Sequence, residues 1–162
     1  MKRCLALGLL CLSLQSLAFD LQGHRGARGL APENTLPAFA LALSIGVNTL
    51  ETDIAITRDG QLIISHDPAL NPDITRGPDG QFLEARGPLI WHTPYEELKR
   101  YDVGRLKPGT RYAALYPAQK PADGARLPRL AELFALVKKS GNTQVRLALE
   151  TNKTAGNPVD PL

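Results

Sequence analysis

Six side chains in this 162-residue sequence have the types and positions that do chemistry: His24, Arg25, Glu51, Asp53, His66 and Glu150. Three of them are carboxylates, and a hard divalent cation takes oxygen ligands of this kind while leaving room for water or substrate. His24 and His66 titrate near working pH, so one can take a proton where the other gives one. Arg25 carries a planar guanidinium fork that can grip a phosphate. Cation, acid, base and phosphate clamp together point to hydrolysis of a phosphate ester. In such a reaction the metal stabilises charge on the phosphoryl oxygens and lowers the pKa of a bound nucleophile. Taken singly, each feature has a plainer reading: His24-Arg25-Gly26 as a loop, Glu51-x-Asp53 as a solvated strand face, His66-Asp67-Pro68 as a turn. Their common placement at strand ends is what gives them weight.

The elements that must position these residues are legible in outline. Phe19 to Gln22 reads as a short strand running into the tight loop Gly23-His24-Arg25-Gly26. Asn34 or Thr35 can cap a helix whose apolar stripe is Leu36, Phe39, Ala40 and Leu43, and Gly46 ends it. Val47 to Thr57 alternates as a strand does, with Leu50, Thr52, Ile54 and Ile56 on one face and Glu51 and Asp53 on the other. Asp59-Gly60 is a hairpin signal, and Leu62 to Ser65 is a further strand ending at His66. A second helix opens at Leu127-Pro128, shows the stripe Leu130, Leu133, Phe134 and Val137, and stops at Gly141. Gln144 to Glu150 is the last strand.

Between about Leu70 and Leu127 the texture changes to Pro, Gly, Arg and Asp, with one short helix suggested over Pro94 to Tyr101. So long a stretch reads as an insertion with structure of its own. In it His92, Trp91, Tyr95 and Tyr101 are expected to be structural. Strand, helix, strand, strand, helix, strand argues for an α/β fold, and a (β/α) barrel would bring the strand-end polar residues onto one face.

Composition sets the class. With 43% hydrophobic residues the chain is globular, and a net charge of +3 with no basic stripe gives no case for a nucleic-acid partner. Lys2 and Arg3 precede the apolar run Leu5 to Leu17, and Ser16-Leu17-Ala18 offers a cleavage site. The expectation is a signal peptide over residues 1–18, export to the periplasm or beyond, and no membrane anchor after cleavage. Cys4 and Cys11, both within that segment, are the only cysteines, so the mature chain offers no disulfide and no thiolate.

The order of these motifs resembles the glycerophosphodiester phosphodiesterase family, whose members are TIM barrels. The residues that carry the likeness are His24-Arg25-Gly26, Pro32-Glu33-Asn34-Thr35, Glu51-Thr52-Asp53, Thr57-Arg58-Asp59-Gly60, His66-Asp67 and Glu150. The insertion also fits the small extra lobe of that family. The resemblance implies His24 and His66 as the acid/base pair, Arg25 on the phosphate, and Glu51, Asp53 and Glu150 around a calcium or magnesium ion. It implies a small-molecule substrate: a deacylated phospholipid such as glycerophosphocholine, split into glycerol 3-phosphate and an alcohol by way of a cyclic phosphate.

Two departures stand out. The family usually carries a lysine two positions after its third acid, and here that position is Asn152, with Lys153 one residue on. A one-residue shift turns a strand side chain to the opposite face, so a changed phosphate contact is expected there. A TIM barrel also typically takes about 250 residues. The expectation is therefore the N-terminal part of a barrel, about four strands, truncated to roughly its first half. Pairing with a second copy is one way such a half would close. Two further readings stand beside the main one: a sphingomyelinase-D-like phosphodiesterase, and a truncated, inactive relic that only binds.

Overall fold

A computed structural model describes residues 19–151. The proposed signal segment, Asn152 and Lys153 lie outside the described residues.

The first strand, β1 (Gln22–Gly23), pairs in parallel with β2 (Thr49–Ile56), through Gln22 with Thr49 and Gly23 with Leu50. On its other side β2 pairs in parallel with β4 (Arg146–Thr151), and Asp53 stands opposite Glu150. The helices α1 (Leu36–Ile45) and α4 (Leu130–Ser140) cover one face of these strands. Each parallel step thus crosses through a helix, as in the opening staves of a (β/α) barrel.

Helix α1 begins where Thr35 accepts a hydrogen bond from the Ala38 N–H, and Pro37 sits in the first turn, where its missing N–H costs nothing. Gly46, at φ 86°, supplies the left-handed cap that ends it. Its buried stripe is Ala38, Phe39 and Ala42, and Ala40 faces solvent, one step round from the expected register. In α4, Glu132 accepts from the Arg129 N–H at 2.8 Å, closing the first turn. Leu130 and Leu133 are buried there, while Phe134 is exposed.

The expected fourth barrel strand is corrected. The strand β3 (Leu62–Ile64) runs antiparallel to β2, in the register Ile54–Ile64 and Ile56–Leu62. The described residues therefore contribute three parallel strands and one hairpin return. Strand β2 overshoots the rim, turns at Arg58-Asp59-Gly60, and comes back as β3. Gly60 takes φ 77° at that turn, and Thr57 Oγ1 accepts from the Gln61 N–H while donating to Asp59.

Strand β3 is also the seam between two cores. Ile64 packs with Phe39, Leu50 and Leu133 under the helices, whereas its neighbour Ile63 packs with Leu70, Ile90, Leu98, Val103 and Leu127 of the insertion. Adjacent strand residues point to opposite faces, so one short strand joins both. The insertion carries a 3₁₀ turn over Ile90–His92 and two short α-helices, α2 (Tyr95–Leu98) and α3 (Arg111–Leu115). Tyr95 and Tyr101 pack against its core as expected, and His92 is exposed. Gly104 admits no side chain, because a Cβ there would lie 2.0 Å from the Ala122 carbonyl oxygen. Among the described residues no helix is long and apolar enough to cross a membrane.

Candidate active site

Period-two alternation along β2 sends Glu51 and Asp53 the same way, and register pairing adds Glu150 from β4 beside Asp53. Oxygens of the three carboxylates lie within 4.8 Å of one another. Glu51 and Asp53 are buried, and Glu150 is open to solvent. Burial pushes the Glu51 carboxyl above its usual range, and Asp53 and Glu150 push the same way. The Arg25 N–H and His24 oppose that shift. Three crowded acidic oxygens, one held against desolvation, are a donor set that a hard divalent cation fits.

The loop after β1 brings His24 and Arg25 onto these acids. Arg25 takes φ 53°, and its backbone N–H donates to Glu51 Oε2 at 2.7 Å. Its Nη1 donates to Glu33 Oε1 at 2.8 Å, and its Nε lies 3.4 Å from Asp53 Oδ2. Gly26 permits the turn because a Cβ at φ 78° would press within 2.8 Å of the Ala38 backbone. His24 is half-exposed, with Nε2 3.6 Å from Glu51 Oε2. Arg28 Nη2 lies 2.8 Å from His24 Nδ1. A guanidinium only donates, so His24 Nδ1 accepts, and a neutral ring then carries its proton on Nε2.

His66 reaches the rim by a different route from the one expected. It follows the antiparallel β3, and the Ser65 N–H bonds the Asp53 carbonyl at 3.0 Å, which sets the level at which His66 emerges. Its Nδ1 lies 2.9 Å from Asp67 Oδ1, and Asp67 Oδ2 accepts from Asn71. A carboxylate on Nδ1 favours the proton there, leaving Nε2 the acceptor nitrogen of a neutral ring. The two histidines are thus held in opposite tautomers.

Sequence reasoning left several contributors unassigned. Asn34, read as a possible helix cap, is buried at φ 55°, donates to Asp53 Oδ2 at 3.1 Å and accepts from Thr52 at 3.0 Å. Glu33, beside it, is the buried partner of Arg25. An acid and an amide between Pro32 and a helix start were the available signal. Arg28, Tyr112 and Tyr116 carried none, since their contacts join distant segments.

Known proteins resemble this chain in sequence and in fold. A glycerophosphodiester phosphodiesterase of Caldanaerobacter subterraneus is 32% identical over 114 residues, which are 70% of this chain and 38% of that protein. A Silicibacter pomeroyi protein assigned to the glycerophosphoryl diester phosphodiesterases superposes with a TM-score of 0.81 at 36% identity, covering 85% of this chain and 46% of that one. An Oleispira antarctica phosphodiesterase, solved with its product sn-glycerol 3-phosphate, gives 0.59 at 30% identity, with the same two coverages. The chain spans less than half the length of these relatives. The model of the glycerophosphoryl diester phosphodiesterase family matches residues 24–160, from the first site histidine onward, and the chain belongs to that family.

Proposed function

We propose that the protein hydrolyses glycerophosphodiesters such as glycerophosphocholine, releasing sn-glycerol 3-phosphate and an alcohol. The observation that carries this reading is the cluster of Glu51, Asp53 and Glu150 within 4.8 Å, flanked by His24 and Arg25. Glu51, Asp53 and Glu150 would hold calcium or magnesium, which when bound supplies charge stabilisation on phosphoryl oxygens. Arg25, aimed by Glu33, binds a phosphoryl oxygen of the diester. His24 and His66 exchange protons with the substrate. Attack by the neighbouring glycerol hydroxyl needs one proton removed and one delivered to the leaving alcohol, and opening of the cyclic product by water needs the reverse. Opposite tautomers equip the two rings for this pairing. The apolar start of the chain supports export to the periplasm or beyond as part of the same reading.

The test is glycerol 3-phosphate release from glycerophosphocholine, with calcium or magnesium and then with EDTA. Release is expected to vanish with EDTA, and His24→Ala or His66→Ala is expected to lower turnover by roughly 100-fold or more. Full activity in EDTA would remove the metal from the reading, and unchanged turnover in either variant would remove that histidine.

A further inference from the structure

One segment of the insertion grips the site loop from outside. Tyr112, in α3, donates its phenol hydroxyl to Glu33 Oε2, while the other oxygen of Glu33 accepts from Arg25 Nη1. Glu33 is buried, and the Arg25 side chain is only 11% exposed. Among the described residues, Nη1 to Glu33 Oε1 at 2.8 Å is the hydrogen bond of the guanidinium, with the Nε–Asp53 ion pair at 3.4 Å beside it, and the Glu33 bond is the one that fixes its aim. What aims Glu33 is Tyr112. Burial, with the Glu33 charge beside it, pushes that phenol above its ordinary range and keeps it a donor.

A second contact runs alongside. Tyr116 meets Tyr112 edge to face, with ring centroids 5.3 Å apart and planes at 73°. The Arg28 guanidinium lies 5.1 Å above the Tyr116 ring, and Arg28 Nη2 donates to His24 Nδ1. Two further bonds pin the loop backbone, from Gln119 Nε2 to Arg28 O at 2.8 Å and from the Lys120 N–H to Leu30 O at 2.9 Å.

We propose that Tyr112 and Tyr116 are positioning residues, through which the insertion lobe aims Arg25 by way of Glu33 and His24 by way of Arg28. The lobe then does more than cover the barrel rim. Its docking sets the orientation of a phosphate-binding group and of a proton-transfer group together, and site competence depends on that docking. This inference rests on the roles proposed above for Arg25 and His24.

The test separates aim from mere packing. Tyr112→Phe removes one hydroxyl and keeps the ring pair with Tyr116. It is expected to shift the Arg25 side-chain ¹⁵N resonance, to weaken binding of sn-glycerol 3-phosphate by about tenfold, and to raise KM more than it lowers kcat. Tyr116→Leu is expected to shift the His24 ring nitrogens and lower kcat with little change in KM, and Tyr116→Phe, which keeps the ring, is expected to restore both. Tyr101→Phe, in the lobe core, is the control and should leave all these readings alone. An unshifted Arg25 resonance with unchanged affinity in Tyr112→Phe would overturn the inference, as would equal effects from Tyr101→Phe. If the unsubstituted protein neither turns over glycerophosphocholine nor binds the product, the functional reading fails. The two resonance shifts then still decide whether the lobe aims the side chains.

Discussion

Two charged clusters in this molecule use the same residue types to opposite ends. In the lobe, Arg76 bridges Asp102 at 2.5 Å and Asp123 at 2.6 Å, and Arg105 closes on Asp123 at 2.5 Å. Two acids face two guanidiniums, and the backbone N–H groups of Gly104 and Gly124 complete Asp102. At the barrel rim, Glu51, Asp53 and Glu150 converge, and the nearest guanidinium, Arg25, is shared with Glu33. The consequences diverge. The two arginines pull Asp123 down to about 2, whereas burial among acids pushes Glu51 up. A balanced cluster stabilises the fold as it stands; an acid-rich one is the donor set that the proposed cation would use.

The largest effect that tests this contrast is cation binding. Calcium or magnesium at a hundredfold excess over its dissociation constant should stabilise the protein by about 2.7 kcal/mol, read as a rise in Tm. Glu51→Gln should abolish that rise and, without metal, should raise Tm at neutral pH, because it removes a buried charge that the folded state disfavours. Asp123→Asn should leave the cation-dependent rise intact. A cation response lost in Asp123→Asn but kept in Glu51→Gln would reverse the two assignments.

How much of this was legible beforehand divides along the same line. Alternation over Val47 to Thr57 placed Glu51 and Asp53 on one face without reference to any partner, and the three-carboxylate cluster has that geometry. The caps at Thr35, Gly46 and Gly141 and the Asp59-Gly60 turn are local signals, and each holds. The direction of β3 was legible in the Asp59-Gly60 hairpin signal, which returns the chain antiparallel, as β3 runs. Counting Leu62 to Ser65 as a barrel strand overlooked that signal. The stripe of α1 slipped because Leu36 to Leu43 is apolar nearly throughout, so several faces fit the helical period. The face selected carries small residues: Ala42 packs with Leu50 in the core, and Ala38 meets the Gly26 turn. The Arg105–Asp123, Arg76–Asp102, Arg76–Asp123 and Tyr112–Glu33 contacts join residues 18 to 79 apart, and no local pattern encodes them.

A smaller effect is expected in the lobe. Arg76 and Asp102 are mostly buried, at 19% and 14% side-chain exposure, so Arg76→Ala would leave Asp102 without its main cation. The expected loss is about 2 kcal/mol, below the 3–5 kcal/mol of fully buried pairs, because solvent reaches both groups. Urea unfolding measures it. An equal loss in the double variant Arg76→Ala, Asp102→Asn would mean that packing, and not the ion pair, carries the contribution. Turnover per folded molecule should change little, since no lobe charge of this network touches the rim acids.

The smallest effect is the pH response of Asp123, and its sign is fixed by the direction of its shift. A carboxyl held at about 2 in the folded protein and near 3.8 when unfolded binds its proton more tightly in the unfolded chain. Its contribution to stability is therefore fully present above pH 3.8 and drains away as pH falls from there toward 2. Asp123→Asn removes that titration. The difference in urea midpoint between the parent and this variant should be constant above about pH 5, shrink through the acid window and close near pH 2. Asp123 is half-exposed, so added salt should narrow the difference at every pH, while the cation response at the rim keeps its dependence on Glu51. A difference that grew on acidification would mean that Asp123 titrates upward like Glu51, and the contrast between the two clusters would collapse.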